Sequence, residues 1–291
     1  MKNNFILITG ASSGIGRALS LKLANIGYQV FASVRNINDA NDLQKLSNGI
    51  IVPLQMDITN QSQIDLAFDK IHSLVGEFGL TALINNAGIV VSGPLEFITI
   101  SDMQLQIETN LIGTLRVTQA ALPLLRKAKG KILNIGSPSG RIALPFLAPY
   151  SASKAAVMLL TQALRFELYT SGVQATLVEP GDIATPIWEK SRLAALNRRN
   201  QANKQIEIYY GKSMDQMEVL MIQTASRAIK VDIVVQKIIK LLQLKKLKPV
   251  YGIGFTAFFW RIISNLLPQR IVEHAIHYVL SNPKNKWVKP P

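Results

Sequence analysis

Tyr150 and Lys154 stand four positions apart in the run Tyr150-Ser151-Ala152-Ser153-Lys154. Apolar periodicity predicts a helix over Tyr150–Ser171, and an i,i+4 pair on a helix shares one face. A free phenol titrates near ~10, too high for a base at neutral pH. A neighbouring ammonium favours the phenolate and lowers that value. The pair therefore suits general acid–base work at a carbonyl or hydroxyl carbon. Ser137 ends a predicted strand, where it could face the same crevice and offer a hydroxyl to a substrate oxygen. Tyr and Lys at this spacing recur by chance, so the pattern gains weight only from its company.

The second chemical element is Thr9-Gly10-Ala11-Ser12-Ser13-Gly14-Ile15-Gly16, between the first predicted strand and the first predicted helix. Gly10 lets the chain turn sharply, Gly14 lets backbone approach a pyrophosphate, and Gly16 lets the helix pack close to the strand. The helix N-terminus then offers free N–H groups and a positive dipole end to phosphates. The spacing is G-x-x-x-G-x-G rather than the commoner G-x-G-x-x-G, and such a loop can also be an ordinary tight turn. Gly10-Ala11-Ser12-Ser13-Gly14 fits a second pattern, G-x-S-x-G, which makes a serine esterase with Ser12 as nucleophile the competing reading. That reading needs a later acid and a histidine. Only His72, His274 and His277 exist.

A third element bears on cofactor choice. An acid at the end of the second strand hydrogen-bonds an adenosine 2′-hydroxyl and repels a 2′-phosphate. Here the segment is Ser33-Val34-Arg35. Val34 occupies the place of that acid, and the guanidinium of Arg35 could clamp a phosphate. Ser33 could add a donor. Otherwise Arg35 is a solvated loop residue. NADP(H) is the expected cofactor, with NAD(H) the alternative.

These residues need a frame. Short apolar runs at Phe5–Thr9, Gln29–Val34, Ile50–Met56, Leu80–Asn85, Lys131–Gly136 and Val173–Val178 read as strands. Helical periods lie between them at Ile15–Ile26 and at about 38–47, 61–77 and 102–127. Such alternation implies right-handed crossovers and a parallel sheet covered on both faces. A polar helical stretch at about 186–230 would lie over the site. A helix at about 231–243 and a strand near Lys248–Gly252 would close the sheet.

The 291 residues suit one large α/β domain with elaborations. There is no cysteine, which excludes disulfides, thiolate metal sites and cysteine nucleophiles. His274 and His277 lie beside Glu273 on a predicted helix without a further ligand, so no metal is expected. The apolar run at Phe5–Ile8 is too short for a secretory signal or a membrane span, making a cytoplasmic location the default.

Taken in order, Thr9–Gly16, Asp57, Asn85-Asn86-Ala87-Gly88, Asn110, Ser137, Tyr150, Lys154 and Pro180-Gly181 with Thr185 resemble the short-chain dehydrogenases/reductases over residues 5–190. The resemblance implies a single-domain Rossmann fold, a doubly wound parallel α/β sheet with a helical substrate lid, and the apolar helical tail Phe255–Leu280, with Pro268 in its middle, reads as a C-terminal helical extension. The division is read as 1–254 and 255–291. It implies Tyr150 as general acid/base, Lys154 on the nicotinamide ribose, and Ser137 on the substrate oxygen. Asn110 would fix a water in a proton relay, and Asp57 would contact adenine. Asn86, Ala87 and Gly88 would line the cofactor site with Gly10, Ser12, Ser13, Gly14, Ile15 and Gly16. Pro180 and Gly181 would complete it, with Ile183 and Thr185 at the carboxamide.

One departure is Asn134-Ile135-Gly136 before Ser137, where many members carry two serines. Ser139 is the alternative hydroxyl. Asn134–Ala156 and Val178-Glu179-Pro180-Gly181 look most like the retinol, 17β-hydroxysteroid and 3-hydroxybutyrate dehydrogenase branches. That implies a small apolar, lipid-like alcohol or carbonyl substrate. The family resemblance also implies a homodimer or homotetramer. A catalytically inactive NADP-binding regulatory protein is a further alternative.

The last hundred residues differ in character. Residues 1–190 carry 15 Lys/Arg against 13 Asp/Glu, and residues 191–291 carry 17 against 5. Trp188, Leu193, Ile208, Tyr209, Tyr210, Met214, Met217 and Met221 are either pocket residues or ordinary helix packing. Lys245, Lys246 and Lys248 precede the apolar group Phe255, Phe258, Phe259, Trp260, Ile262 and Ile263, which Arg261 interrupts. An interfacial helix on an anionic membrane is one reading, and a helix closing the pocket or a subunit interface is the other. Nucleic acid has no recognisable motif here and is not expected as a partner.

Overall fold

The computed structural model describes residues 4–201 and 204–281. The outer ends of the two expected units, 1–3 and 282–291, and the lid residues 202–203 lie outside the described residues.

Seven parallel strands form one sheet in the order β3-β2-β1-β4-β5-β6-β7. They are β1 (Phe5–Ile8), β2 (Gln29–Val34), β3 (Ile51–Gln55), β4 (Ala82–Asn85), β5 (Lys131–Ile135), β6 (Gln174–Pro180) and β7 (Val250–Ile253). The chain winds outward from β1 through β2 to β3, then returns to β1's other side as β4. The reversal falls between β1 and β4, and a ligand crevice opens at such a point.

Both faces of the sheet are dry, and β1 shows why the sequence folds this way. Ile6 and Ile8 join one apolar layer, beside Leu19 and Leu23 of α1 (Gly14–Asn25) and Val234 and Ile238 of α9 (Val231–Gln243). Leu7 points the other way, to Ile64, Phe68 and Ile71 of α3 (Gln61–Val75) and Val117, Ala121 and Leu124 of α5 (Gly113–Ala128). Alternate residues of a strand face opposite sides, so a strand covered on both must be apolar throughout.

The helix expected at about 102–127 is interrupted. α4 (Ile100–Ile107) passes into a π-helical turn, Glu108–Ile112, before α5. Asn110 sits in that turn, 1% exposed. Its Oδ1 accepts from the Ile89 N–H at 2.9 Å, and its Nδ2 donates to the Ile89 carbonyl at 3.0 Å. A turn of this kind re-aims one side chain within a helix and is frequent at functional sites. The sequence period reads straight through it.

The Tyr150 helix, α6 (Ala148–Glu167), begins two residues before the tyrosine, with Pro149 in its first turn. α2 spans Ile37–Leu46. The lid is two helices, α7 (Pro186–Gln201) and α8 (Gln205–Ser226). The chain ends in α10 (Phe255–Leu266) and α11 (Gln269–Ser281), parted at Pro268.

Candidate active site

A cavity of about 470 Å³ runs along the carboxyl ends of the strands. Arg35 and Asp57 line one part of it, and Ser137, Tyr150 and Trp188 another. The glycine loop forms its floor. Gly10 has φ +66°, a left-handed conformation, and a Cβ there would lie 2.7 Å from the Ala87 Cα. Gly16 does not line the cavity. A Cβ on it would lie 2.6 Å from Asn86 Nδ2, so glycine is needed for the close approach of α1.

The loop is stitched to the end of β4. Thr9 Oγ1 accepts from the N–H groups of Asn86 and Ala87, both at 3.0 Å. Asn86 Nδ2 donates to the Thr9 and Gly10 carbonyls at 3.0 and 3.1 Å. Ser13 is the N-cap of α1 but makes no side-chain cap, and the first turn holds no acid. The N–H groups of that turn are thus left for an anion at a positive dipole end. Gly14 and Ile15 line the cavity beside Ser12 and Ser13. This cradle fits a dinucleotide pyrophosphate.

At the adenosine end Arg35 lines the cavity and makes no ion pair among the described residues. Arg17, the other cation near the loop, is engaged by Asp42 at 2.6 Å. Ser33 lines the cavity as well, but it is buried and its hydroxyl proton goes to the Met56 carbonyl at 3.2 Å rather than to the adenosine end. Asp57 Oδ1 accepts from the N–H and hydroxyl of Thr59, at 2.9 and 2.7 Å, which fixes the carboxylate at the rim.

At the other end Tyr150 and Lys154 are both buried. Lys154 Nζ donates to the Ile135 carbonyl at 2.7 Å and lies 5.8 Å from the centre of the Tyr150 ring. Burial pushes the Lys154 ammonium down to about 8. Burial pushes the Tyr150 phenol up from its ordinary value, and a hydrogen bond with the Ser137 hydroxyl opposes that shift. The expectation that Lys154 lowers the phenol is therefore corrected for the protein alone. Desolvation outweighs it, and the ammonium is turned to a backbone carbonyl.

Ser137 lines the cavity and Ser139 does not. The Ser139 N–H instead donates to Ser137 Oγ at 3.2 Å, which steadies the inner hydroxyl. Behind the site Asn110 Nδ2 also donates to Ser153 Oγ at 3.0 Å, and Ser153 donates to the Tyr150 carbonyl at 2.7 Å. Gln106, one helical turn before Asn110, was not singled out from the sequence. It is fully buried and binds Val91 N–H at 2.6 Å and the Ile89 carbonyl at 3.0 Å. Its i,i+4 relation to Asn110 was the signal available.

Pro180, Gly181, Ile183 and Thr185 line the cavity after β6, as Asn86, Ala87 and Gly88 do after β4. The backbone there is pinned by an Ile229 N–H bond to the Asp182 carbonyl at 2.9 Å and an Ala184 N–H bond to the Ile229 carbonyl at 3.1 Å.

Of the lid side chains that are either pocket or packing residues, one reaches the cavity. Trp188 lines the cavity, its ring edge-on to Tyr150 at 6.5 Å. Leu193, Ile208 and Tyr209 are exposed, and Met217 is core. Tyr210 packs on Phe97 and Phe146 and donates to Glu96. Met214 and Met221 do not line the cavity. Among the described residues of the lid only α7 reaches the cavity, and α8 forms the layer outside it. The sequence missed Ser191 and Arg198, which fasten α7. Ser191 Oγ donates to the Val90 carbonyl at 3.2 Å, and Arg198 Nη2 to the Ser92 carbonyl at 3.1 Å. Val90, Val91 and Leu105 give the substrate end an apolar wall.

Ser12 lines the cavity, but no histidine does, so an esterase there lacks its base. Among the described residues no group of three or more His, Cys, Asp or Glu is gathered for a metal.

The short chain dehydrogenase family model matches residues 4–195. A 3-amino-tetrahydro-pyrrolizinone reductase of Xenorhabdus hominickii is 46% identical over 190 residues, 65% of this chain and 65% of that protein. An NADPH-dependent 3-dehydrocapnine reductase of Ornithobacterium rhinotracheale is 32% identical over 92% of this chain and 94% of its own length. Among solved structures, a short chain dehydrogenase from Burkholderia cenocepacia in complex with NADP superposes with a TM-score of 0.70 at 27% identity, covering 97% of this chain and 100% of the other.

Proposed function

The chain belongs to the short-chain dehydrogenase family, and from that premise we propose that it is an NADP(H)-dependent oxidoreductase interconverting a ketone or aldehyde and its alcohol on a small apolar, lipid-like substrate. The observation that carries this reading is the convergence of the buried Tyr150 and Lys154 with Ser137 on one cavity, beside Val90, Val91 and Trp188.

A nicotinamide dinucleotide, when bound, supplies the hydride for reduction. The chain's own residues do the rest. The phenol of Tyr150 is protonated at neutral pH even at its ordinary value near ~10, and burial raises it further. It is therefore ready as the general acid that gives Oη–H to the substrate oxygen. Ser137 orients that oxygen with its hydroxyl. Lys154 is charged below about 8. It holds the cofactor ribose and stabilises the phenolate that remains. Asn110 acts as a positioning residue through Ser153 and Ile89, behind the proposed relay water. The first turn of α1 meets the pyrophosphate, and Asp57 lies at the adenine. Pro180, Gly181, Ile183 and Thr185 receive the carboxamide end.

Arg35, free of any acid among the described residues, supports NADP(H) over NAD(H), as does the NADPH named for the 3-dehydrocapnine reductase. The 1–254 unit is taken as catalytic and 255–291 as its extension. The family resemblance supports a homodimer or homotetramer, the protein is taken as cytoplasmic, and the cationic last third supports contact with an anionic membrane surface.

The test is NADPH absorbance with a panel of retinoid, steroid and short-chain carbonyls. An alcohol should form in step with NADPH loss on at least one apolar substrate. Arg35→Ala should weaken NADPH binding by roughly ten- to a hundredfold, the worth of a charge-assisted hydrogen bond, and leave NADH nearly unchanged. Turnover with none of the panel would favour an inactive cofactor-binding protein. Equal weakening of both cofactors would remove Arg35 as the clamp.

A further inference from the structure

α10 is an amphipathic helix turned inside out. Phe255, Phe258, Phe259, Ile262 and Leu266 recur at steps of three and four, so they share a sector of roughly 100°. Their exposures are 78%, 61%, 44%, 40% and 75%. The opposite side, which meets the protein, carries Thr256, Ala257, Trp260 and Ser264, of which only Trp260 is a large apolar side chain, and it is half-buried. A helix docked by its apolar face would show the reverse pattern. Leu267 extends the exposed apolar surface to Pro268, and Ile271 and Tyr278 add exposed apolar side chains on α11. Single exposed apolar residues need no explanation, but a contiguous stripe of this kind marks a surface that binds something.

We propose that this α10–α11 face is the element that lies in an anionic lipid bilayer surface. The inference deepens the membrane-surface reading above by naming the element that docks, and it does not depend on the catalytic reading. Its chemistry is that of an interfacial helix, with aromatic and aliphatic side chains on one side and cations at the border. Arg261 and Arg270 are exposed beside the stripe, and Glu273 is the only acid on either helix. The sequence after α11 adds Lys284, Lys286 and Lys289 and no acid. A second copy of the chain fits less well. A twofold contact sets the same patch against itself and would bring these cations together, whereas lipid phosphates neutralise them. Among the described residues no helix is long and apolar enough to cross a membrane, so the hairpin lies along the surface. Thr256 at the start of α10 donates to Asp182 at 2.9 Å, and Asp182 stands between the cavity residues Gly181 and Ile183. The inward side of α10 is thus tied to the rim of the cavity, and the apolar stripe on its other side faces outward.

The experiment is flotation of the full chain with vesicles of phosphatidylcholine alone or mixed with phosphatidylglycerol. Wild type should float with the anionic vesicles, and binding should weaken as ionic strength passes about 0.1 M, where the screening length is about 10 Å. Phe258→Ser with Phe259→Ser should lose about tenfold or more of that binding. NADPH oxidation with a water-soluble ketone should be unchanged in the variant, which shows that it is folded. Wild type that does not float at low salt would overturn the proposal, as would a double variant that floats like wild type. A dimer that the same substitutions dissolve, seen by light scattering without vesicle binding, would assign the face to a second copy instead. Vesicle binding without NADPH turnover on any carbonyl would sink the reductase reading and leave this one standing.

Discussion

Helices α5 and α10 carry apolar residues at the same spacing and turn them in opposite directions. Val117, Ala121, Leu124 and Leu125 of α5 are wholly buried against the sheet and α3. Phe255, Phe258, Phe259, Ile262 and Leu266 of α10 face outward. A helical period establishes that a face exists, but what covers it depends on the rest of the molecule. α5 meets a sheet apolar on both sides. α10 follows the edge strand β7, and its inward side holds on through Ala257, the half-buried Trp260 and the Thr256–Asp182 hydrogen bond. Burial in the front of the chain builds the pocket, and exposure in the back leaves a surface for something outside.

Stability measurements should separate the two stripes most sharply. Leu124→Ala removes a fully buried side chain and should cost ~2–5 kcal/mol in denaturant unfolding. Phe258→Ser removes an exposed one and should stay within about 0.5 kcal/mol of wild type. If Phe258→Ser costs as much as Leu124→Ala, the α10 stripe is covered in the free protein and the contrast fails.

The same contrast holds for cations and predicts a smaller, pH-dependent effect. Arg261 and Arg270 stand in water, whereas Lys154 is buried and pushed down to about 8. Lys154 is thus charged below that pH and neutral above it, while Tyr150, pushed up by burial, keeps its proton across the same range. kcat/KM for NADPH, which reports the free enzyme, should be level below about 8 and then fall by at most tenfold per pH unit. A profile flat to about pH 10 would mean that the Lys154 charge is not needed.

Much of the front of the molecule is legible in the sequence because its signals are local. Strand runs, glycine spacing and the i,i+4 Tyr–Lys pair each lie within a few residues, and the doubly wound parallel sheet follows from their alternation. What was not legible depends on contacts across the chain. The π turn at Asn110 is held by Ile89, twenty-one residues away. Ser33 turns its hydroxyl to Met56 rather than outward. Ser137 and Ser139 differ by which one the chain carries into the cavity. The lid misled most. Tyr209 and Ile208 look like pocket residues by type, yet α8 is the outer layer, and the side chains that fasten the lid, Ser191 and Arg198, are polar.

The most direct measurement is single-turnover NADPH oxidation by wild type and Tyr150→Phe, with NADPH affinity determined for both. The substitution deletes one hydroxyl and leaves the ring beside Trp188. NADPH should bind both proteins alike, while the rate falls by ~10²–10⁴-fold, the usual worth of general acid–base catalysis. A Tyr150→Phe protein that turns over near the wild-type rate would show that the proton comes from elsewhere, and the assignment of this cavity as a Tyr150-centred reductase site would be wrong.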